Sequence, residues 1–203
     1  QIADTIRIFL GVRCFLMLIA KPPSCRLILF YYTSEKEVVQ GEGFCGMLVF
    51  INRIGGEEMQ LCYSPIAPED VENILAMQKE LIERYEDLDA IDCQKVFAWC
   101  RRKIEAQMQD YRKILCDGVT AGYYALHRQG EEWELDDLYL YPAFQGKGIG
   151  TVVLQKVIAD TAPAGLFLYV FVKNTGAVRL YERLGFVLSE QVGSTRQILR
   201  LQR

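Results

Sequence analysis

The stretch from Trp133 to Val172 constrains the fold most. It runs through an extended segment, "WELDDLYLY", a bare loop, "QGKGIG" (Gln145 to Gly150), a segment with a broad apolar helical face, "TVVLQKVIADTA", and a short continuous apolar run, "LFLYVFV". Strand, loop, helix and strand in that order form a βαβ unit, with parallel strands and a right-handed crossover. The first N–H groups of a helix lack internal partners and carry partial positive charge. Such an end takes an anion if the backbone can come close, which glycine permits. Lys147 adds charge at the rim of this loop.

The flanking segments read clearly. "MQLCYSPI" alternates like a strand. In "APEDVENILAMQKELIERYEDL", Pro68, Glu69 and Asp70 suit a first helical turn. Val71, Ile74, Leu75, Gln78, Leu81, Ile82 and Tyr85 recur there at helical spacing. A second helix is expected over 93–109, with Val96, Phe97, Cys100, Ile104 and Met108 on one side. Strands are expected at about 111–116, 119–127 and 132–140, turning at Asp117-Gly118 and Gln129-Gly130. "NTGAVRLYERLGF" reads as a helix stopped at Gly185, and "FVLSEQ" and "TRQILRL" as closing strands.

Composition narrows the function. A net charge of −3 gives no footprint for nucleic acid or an anionic membrane. The longest apolar run, "IFLGVRCFLMLIA", is interrupted by Arg13 and falls short of the roughly 20 residues of a membrane helix. The 7 cysteines contain no C-x-x-C pair, and the chain has 1 histidine, so neither a metal site nor a cysteine nucleophile is expected. Scattered single cysteines suit a reducing compartment, and a cytoplasmic location is expected.

The texture changes near Met59. The join "GGEEM" can be encoded as GGAGGAGAAGAAATG, which would place a purine-rich ribosome-binding sequence just before a start codon. The expectation is a domain over 59–203, with 1–58 as upstream sequence read in frame. The alternative is a real N-terminal extension with "LILFYY" and "GMLVFI" as short strands.

Three glycine motifs could suit the loop. The Rossmann fingerprint fails because its third glycine would fall on Thr151, and the Walker loop fails at Tyr141 and Gly148. The third, Q/R-x-x-G-x-G/A, is met by Gln145, Gly148 and Gly150. With "ELDDLYLYPAFQGKGIG" and "NTGAVRLYERLGF", the chain from Met59 to Arg203 resembles the GNAT superfamily of N-acetyltransferases.

That resemblance implies an α/β fold with a mixed, mostly antiparallel central sheet flanked by helices, whose parallel fourth and fifth strands splay apart. It implies acetyl-CoA as acyl donor. The pyrophosphate would lie on Gln145, Gly146, Lys147, Gly148, Ile149, Gly150 and Thr151, and the pantetheine arm along Leu138, Tyr139 and Leu140, with a backbone N–H near Leu140 facing the developing oxyanion. Tyr181 matches the family tyrosine that protonates the leaving thiolate, and Asn174 matches the asparagine that contacts cofactor or caps the helix. Glu134 stands where some members carry a general base, with Asp136 and Asp137 as rivals.

The acceptor would be a primary amine, on a small molecule or a protein. Trp99, Tyr123 and Tyr124 would line its pocket or simply pack, and the acidic link "ERYEDLDAID" suits a basic acceptor or a wet surface. His127 is expected in solvent beside Arg128. A CoA-binding sensor without turnover would carry the same motifs, and oligomeric state, a homodimer included, is left open.

Overall fold

The computed structural model describes the backbone at 14–19, 26–32, 38–43, 49–54 and 57–202, and side chains from Met59 to Gln202. The chain divides into two compact units, one of residues 1–64 with 114–120, the other of 65–113 with 121–203. In the first, β1 (Cys14–Ile19), β2 (Arg26–Tyr32) and β3 (Val38–Gly43) pair antiparallel in that order. β4 (Val49–Ile54) pairs antiparallel with β5 (Glu57–Pro65), which runs through Met59. "LILFYY" falls on β2. "GMLVFI" falls partly on β4, and its first three residues lie outside the described residues.

The hairpin tip at Asp117-Gly118 also belongs to this unit. Both residues take left-handed backbone angles, φ 50° and 80°, as a two-residue hairpin turn requires. Asp117 N–H donates to the Gln60 carbonyl, and Gln60 N–H donates to Asp117 Oδ1, each at 2.9 Å.

The second unit holds α1 (Val71–Tyr85), α2 (Cys93–Ala106), α3 (Ile149–Thr161) and α4 (Thr175–Arg183). Its strands are β6 (Tyr111–Cys116) and β7 (Val119–Gln129), whose residues 114–116 and 119–120 belong to the first unit, then β8 (Glu132–Leu140), β9 (Leu166–Phe171), β10 (Phe186–Val192) and β11 (Arg196–Leu201). They lie in the order β10-β11-β9-β8-β7-β6. The pairs β10–β11, β11–β9 and β7–β8 are antiparallel, and β8–β9 is parallel. This is the α/β, mixed-sheet architecture expected.

The helical periods translate directly into burial. Val71, Ile74, Leu75 and Ile82 of α1 are buried with Cys100 and Ile104 of α2 against Tyr111, Tyr123, Ala125 and Tyr139 of the sheet. A fully buried aliphatic side chain contributes about 1.5–3 kcal/mol, so this face holds α1 and α2 in place. Ile149, Val153, Leu154 and Val157 anchor α3 in the same way. Asp70 does more than favour a first turn. Its carboxylate accepts from Ala67 N–H and Tyr123 Oη, each at 2.9 Å, and meets Lys113 Nζ at 2.7 Å.

His127 departs from expectation. β7 continues to Gln129, so His127 sits inside the ladder rather than at its end, and is buried opposite Glu134. Arg128 turns outward, its guanidinium 5.3 Å from the Trp133 ring centroid.

Candidate active site

β8 changes partner partway along its length. Its parallel pairing with β9 covers only Trp133–Leu166, Glu134–Phe167 and Leu135–Leu168. Both strands continue, β8 to Leu140 and β9 to Phe171. The parting begins at an irregularity in β8. Ala125 of β7 faces Asp137 and Leu126 faces Leu135, so Asp136 is an extra residue in the ladder. A bulge of this kind bends its strand and re-aims side chains. Beyond it β8 stays pressed on β7, where Gly122 pairs with Leu140. A Cβ on Gly122 would lie 2.0 Å from the Tyr139 carbonyl oxygen. The edge of β8 toward β9 is thereby left open along Leu138, Tyr139 and Leu140.

The glycine loop closes the end of that gap. Leu140 leads through Tyr141, whose N–H donates to the Ala121 carbonyl at 2.8 Å, into a 3₁₀ turn at Pro142–Phe144. Gln145 Nε2 donates to the Leu140 carbonyl at 2.7 Å and ties the loop to its strand. Gly146 and Gly148 have φ of 71° and 79°, and Gly148 is the N-cap of α3. Thr151 N–H donates to the Gly148 carbonyl at 3.0 Å, so the N–H groups ahead of it at the helix start lie outside the intrahelical ladder. Gly150 brings α3 close to its neighbours. A Cβ there would approach Leu180 Cδ2 of α4 to 3.3 Å and Leu140 Cδ1 to 3.7 Å. Lys147 Nζ lies 5.8 Å from the Phe144 ring centroid. Gln145 through Thr151 thus form one backbone cradle.

On the α1–α2 side of β8 the carboxylates crowd. Asp137 Oδ2 accepts from Tyr111 Oη at 2.6 Å and from Gln78 Nε2 at 2.7 Å, and Gln78 Nε2 also reaches Tyr111 Oη at 3.3 Å. Asp136 Oδ2 lies 2.5 Å from Lys103 Nζ, and that ammonium is 5.2 Å from the centroid of the exposed Trp99 ring. Tyr139 Oη donates to Glu80 Oε2 at 2.8 Å. Burial and the adjacent Asp136 charge push the Asp137 carboxyl above its usual range, against the pull of Tyr111, Lys103 and Gln78. Burial, then the Glu80 partner, pushes the Tyr139 phenol up to about 12.

Tyr181 lies on α4, buried, with its ring edge-on to Phe186 at 5.8 Å. Burial and then the charge of Asp137 push its phenol well above the ordinary value. Asn174 caps α4, its Oδ1 accepting from Ala177 N–H at 3.3 Å. Glu134 lies within the paired stretch, in register with both His127 and Phe167, and its Oε2 is 3.4 Å from His127 Nε2. Tyr123 and Tyr124 are buried, whereas Trp99 is 54% exposed, so only Trp99 is free to meet a ligand from solvent. Sequence reasoning missed Tyr111 and Lys103. The clue for Gln78 was present, as the one polar residue on the apolar stripe of α1.

Comparison with known proteins decides the family. The model of the acetyltransferase (GNAT) family matches residues 73–186. The chain belongs to the GNAT family. Among curated relatives, an uncharacterized N-acetyltransferase of Methanocaldococcus jannaschii is 38% identical over 72 residues, 34% of this chain and 32% of that protein. The N-alpha-acetyltransferase RimI of Mycobacterium tuberculosis is 28% identical over 104 residues, 49% of this chain and 64% of that protein. The spermine/spermidine N(1)-acetyltransferase of Bacillus subtilis is 33% identical over 73 residues, 34% of this chain and 47% of that protein. The chain spans less than two thirds of the length of each. Among solved structures, the PaiA N-acetyltransferase of Thermoplasma acidophilum in complex with coenzyme A shares the fold at TM-score 0.55 and 19% identity, over 70% of this chain and 99% of that one. An N-acetyltransferase of Staphylococcus aureus does so at TM-score 0.55 and 14% identity, over 68% of this chain and 99% of that one.

Proposed function

We propose that this GNAT domain transfers the acetyl group of acetyl-CoA directly to a primary amine. The observation that carries the reading is the end of β8–β9 pairing at Leu135–Leu168, with the glycine cradle closing the gap so formed. A pantetheine arm is a chain of amides and needs a strand edge to pair with, which Leu138 to Leu140 offer. A pyrophosphate needs converging N–H groups and a bare backbone, which Gly146 to Gly150 offer. The residues fit the group. Acetyl-CoA supplies the activated acyl carbon, and the chain orients it and polarises its carbonyl through a backbone N–H of β8 near Leu140.

The proton traffic belongs to side chains. Tyr181 stays protonated at neutral pH and donates to the departing thiolate. Its burial fits a proton meant for one recipient. A carboxylate of β8 receives the proton the amine loses. Asn174 orders the start of α4, which carries Tyr181. The acceptor enters from the α1–α2 side, where Asp136, Asp137 and Glu80 gather, so a cationic amine is favoured. Two relatives, an N-alpha-acetyltransferase and a spermine/spermidine acetyltransferase, point by name to the same chemical class. The scattered single cysteines support a cytoplasmic location for the activity.

The test is thiol release from acetyl-CoA by the full chain with spermidine, a lysine peptide blocked at its N-terminus, and an alanyl peptide with a free N-terminus. Release with one of them, with the acetylated amine found by mass spectrometry, is the expected result. Binding of acetyl-CoA without release by any amine would favour a CoA sensor.

A further inference from the structure

We propose that Asp137, positioned by Tyr111 and Gln78, is the base that takes the proton of the acceptor amine, an assignment that rests on the acetyltransferase reading above. The argument begins with place. Asp137 follows the bulge residue Asp136, where β8 leaves β9 and its edge opens. The next residue, Leu138, is the first of the stretch offered to the acyl donor. Glu134 lies on the other side of the bulge, inside the paired ladder, with its carboxylate turned to His127.

The second step is how the carboxylate is held. Tyr111 from β6 and Gln78 from α1 both donate to one oxygen, Oδ2. Among the described residues no protein donor reaches Oδ1. One oxygen fixes the orientation and the other is left for a ligand proton. Two neutral donors hold the group without neutralising it, whereas Asp136 is matched by Lys103. Of the two adjacent acids, Asp137 is the one without a cation of its own.

The third step is charge. The groups facing Asp137 are Asp136 on its own strand, Lys103 and Cys100 from α2, Tyr111 from β6, Gln78 from α1 and Tyr181 from α4. Burial and Asp136 raise its proton affinity, which suits a proton acceptor. Asp137 is also the charge that Tyr181 feels. In the reaction the amine, neutral after giving its ammonium proton to solvent, forms a bond from nitrogen to the acyl carbon, the carbon–sulfur bond breaks, the proton that the new bond makes acidic on nitrogen passes to Asp137 Oδ1, and the thiolate takes the Tyr181 proton. Once Asp137 is neutral, the charge that held the Tyr181 proton is gone, and the phenol becomes the better acid when the thiolate needs it. Solvent then exchanges both protons.

The experiment compares full-chain wild type, Asp137→Asn, Glu134→Gln and Tyr111→Phe over a pH series, with the amine probe that wild type acetylates and with the melting shift given by acetyl-CoA. The expected result is a loss of about 100-fold or more in kcat/KM for Asp137→Asn, with the melting shift kept and the acid limb of the profile removed. Tyr111→Phe removes a hydrogen bond that stabilises the carboxylate, so its acid limb moves to higher pH with the limb intact. A purely structural role for Tyr111 would lower rates without moving the limb. Asp137→Asn within about threefold of wild type, Glu134→Gln as the variant that removes the limb, or an unmoved limb in Tyr111→Phe would each overturn the assignment. If Asp137→Asn does not fold, the Tyr111→Phe limb decides alone. Wild type that releases no thiol with any amine would defeat the transferase reading, and this assignment with it; wild-type turnover with an active Asp137→Asn would defeat this assignment alone.

Discussion

Single side chains carry most of the chemistry. Replacing Tyr181 by Phe removes one hydroxyl from a buried ring and leaves its edge contact with Phe186 in place. Turnover should fall about 100-fold, the usual scale for a lost general acid, with the acetyl-CoA melting shift preserved. A variant as active as wild type would mean that the thiolate takes its proton from water. Asp70 makes a different kind of prediction. Burial raises its carboxyl, but the bonds from Ala67, Lys113 and Tyr123 outweigh it and hold the group below its usual value. A depressed carboxyl stabilises the fold at pH values above its unfolded value, near 3.9, and that stability is lost as pH falls through the lower folded value. Asp70→Asn should cost about 3 kcal/mol at neutral pH, because it leaves Lys113 without its anion, and little at the acid end. Denaturant midpoints at neutral and acid pH measure both.

Elements determine where those side chains meet. The helices, the Asp117-Gly118 hairpin and the glycine loop were legible in the sequence because each depends on residues a few positions apart. The bulge at Asp136 was not. It arises from pairing between β7 and β8, and no local pattern marks which residue is left over. The support of Asp137 was hidden for the same reason: Tyr111 is 26 residues away along the chain and Gln78 is 59. His127 was misplaced because the ladder runs past it. Gly122 tests the element most directly. A Cβ there meets backbone, the Tyr139 carbonyl oxygen, so no side chain can move to relieve it. Gly122→Ala should force β8 off β7, destabilise by about 1–3 kcal/mol as overpacking does, and weaken acetyl-CoA binding more than Gly118→Ala in the Asp117-Gly118 hairpin tip. Equal binding by the two variants would separate the strand edge from the donor site.

At the scale of the molecule, every residue assigned to the site lies in the unit of 65–113 and 121–203. Protein beginning at Met59 is therefore expected to keep the acetyl-CoA melting shift. Its loss would show that residues 1–58 support the fold. The identity of the acceptor was not legible, because none of the motifs in the sequence specifies it.

The central claim is that the gap between β8 and β9, closed by the glycine cradle, binds acetyl-CoA. The measurement that tests it most directly is the melting temperature of the full chain with and without acetyl-CoA. At about 100 times the dissociation constant the ligand adds about 2.7 kcal/mol, which is roughly 5–10 °C for a chain of this size. A rise of that order, saturating with acetyl-CoA, is the predicted result. An unchanged melting temperature at millimolar acetyl-CoA would contradict the account.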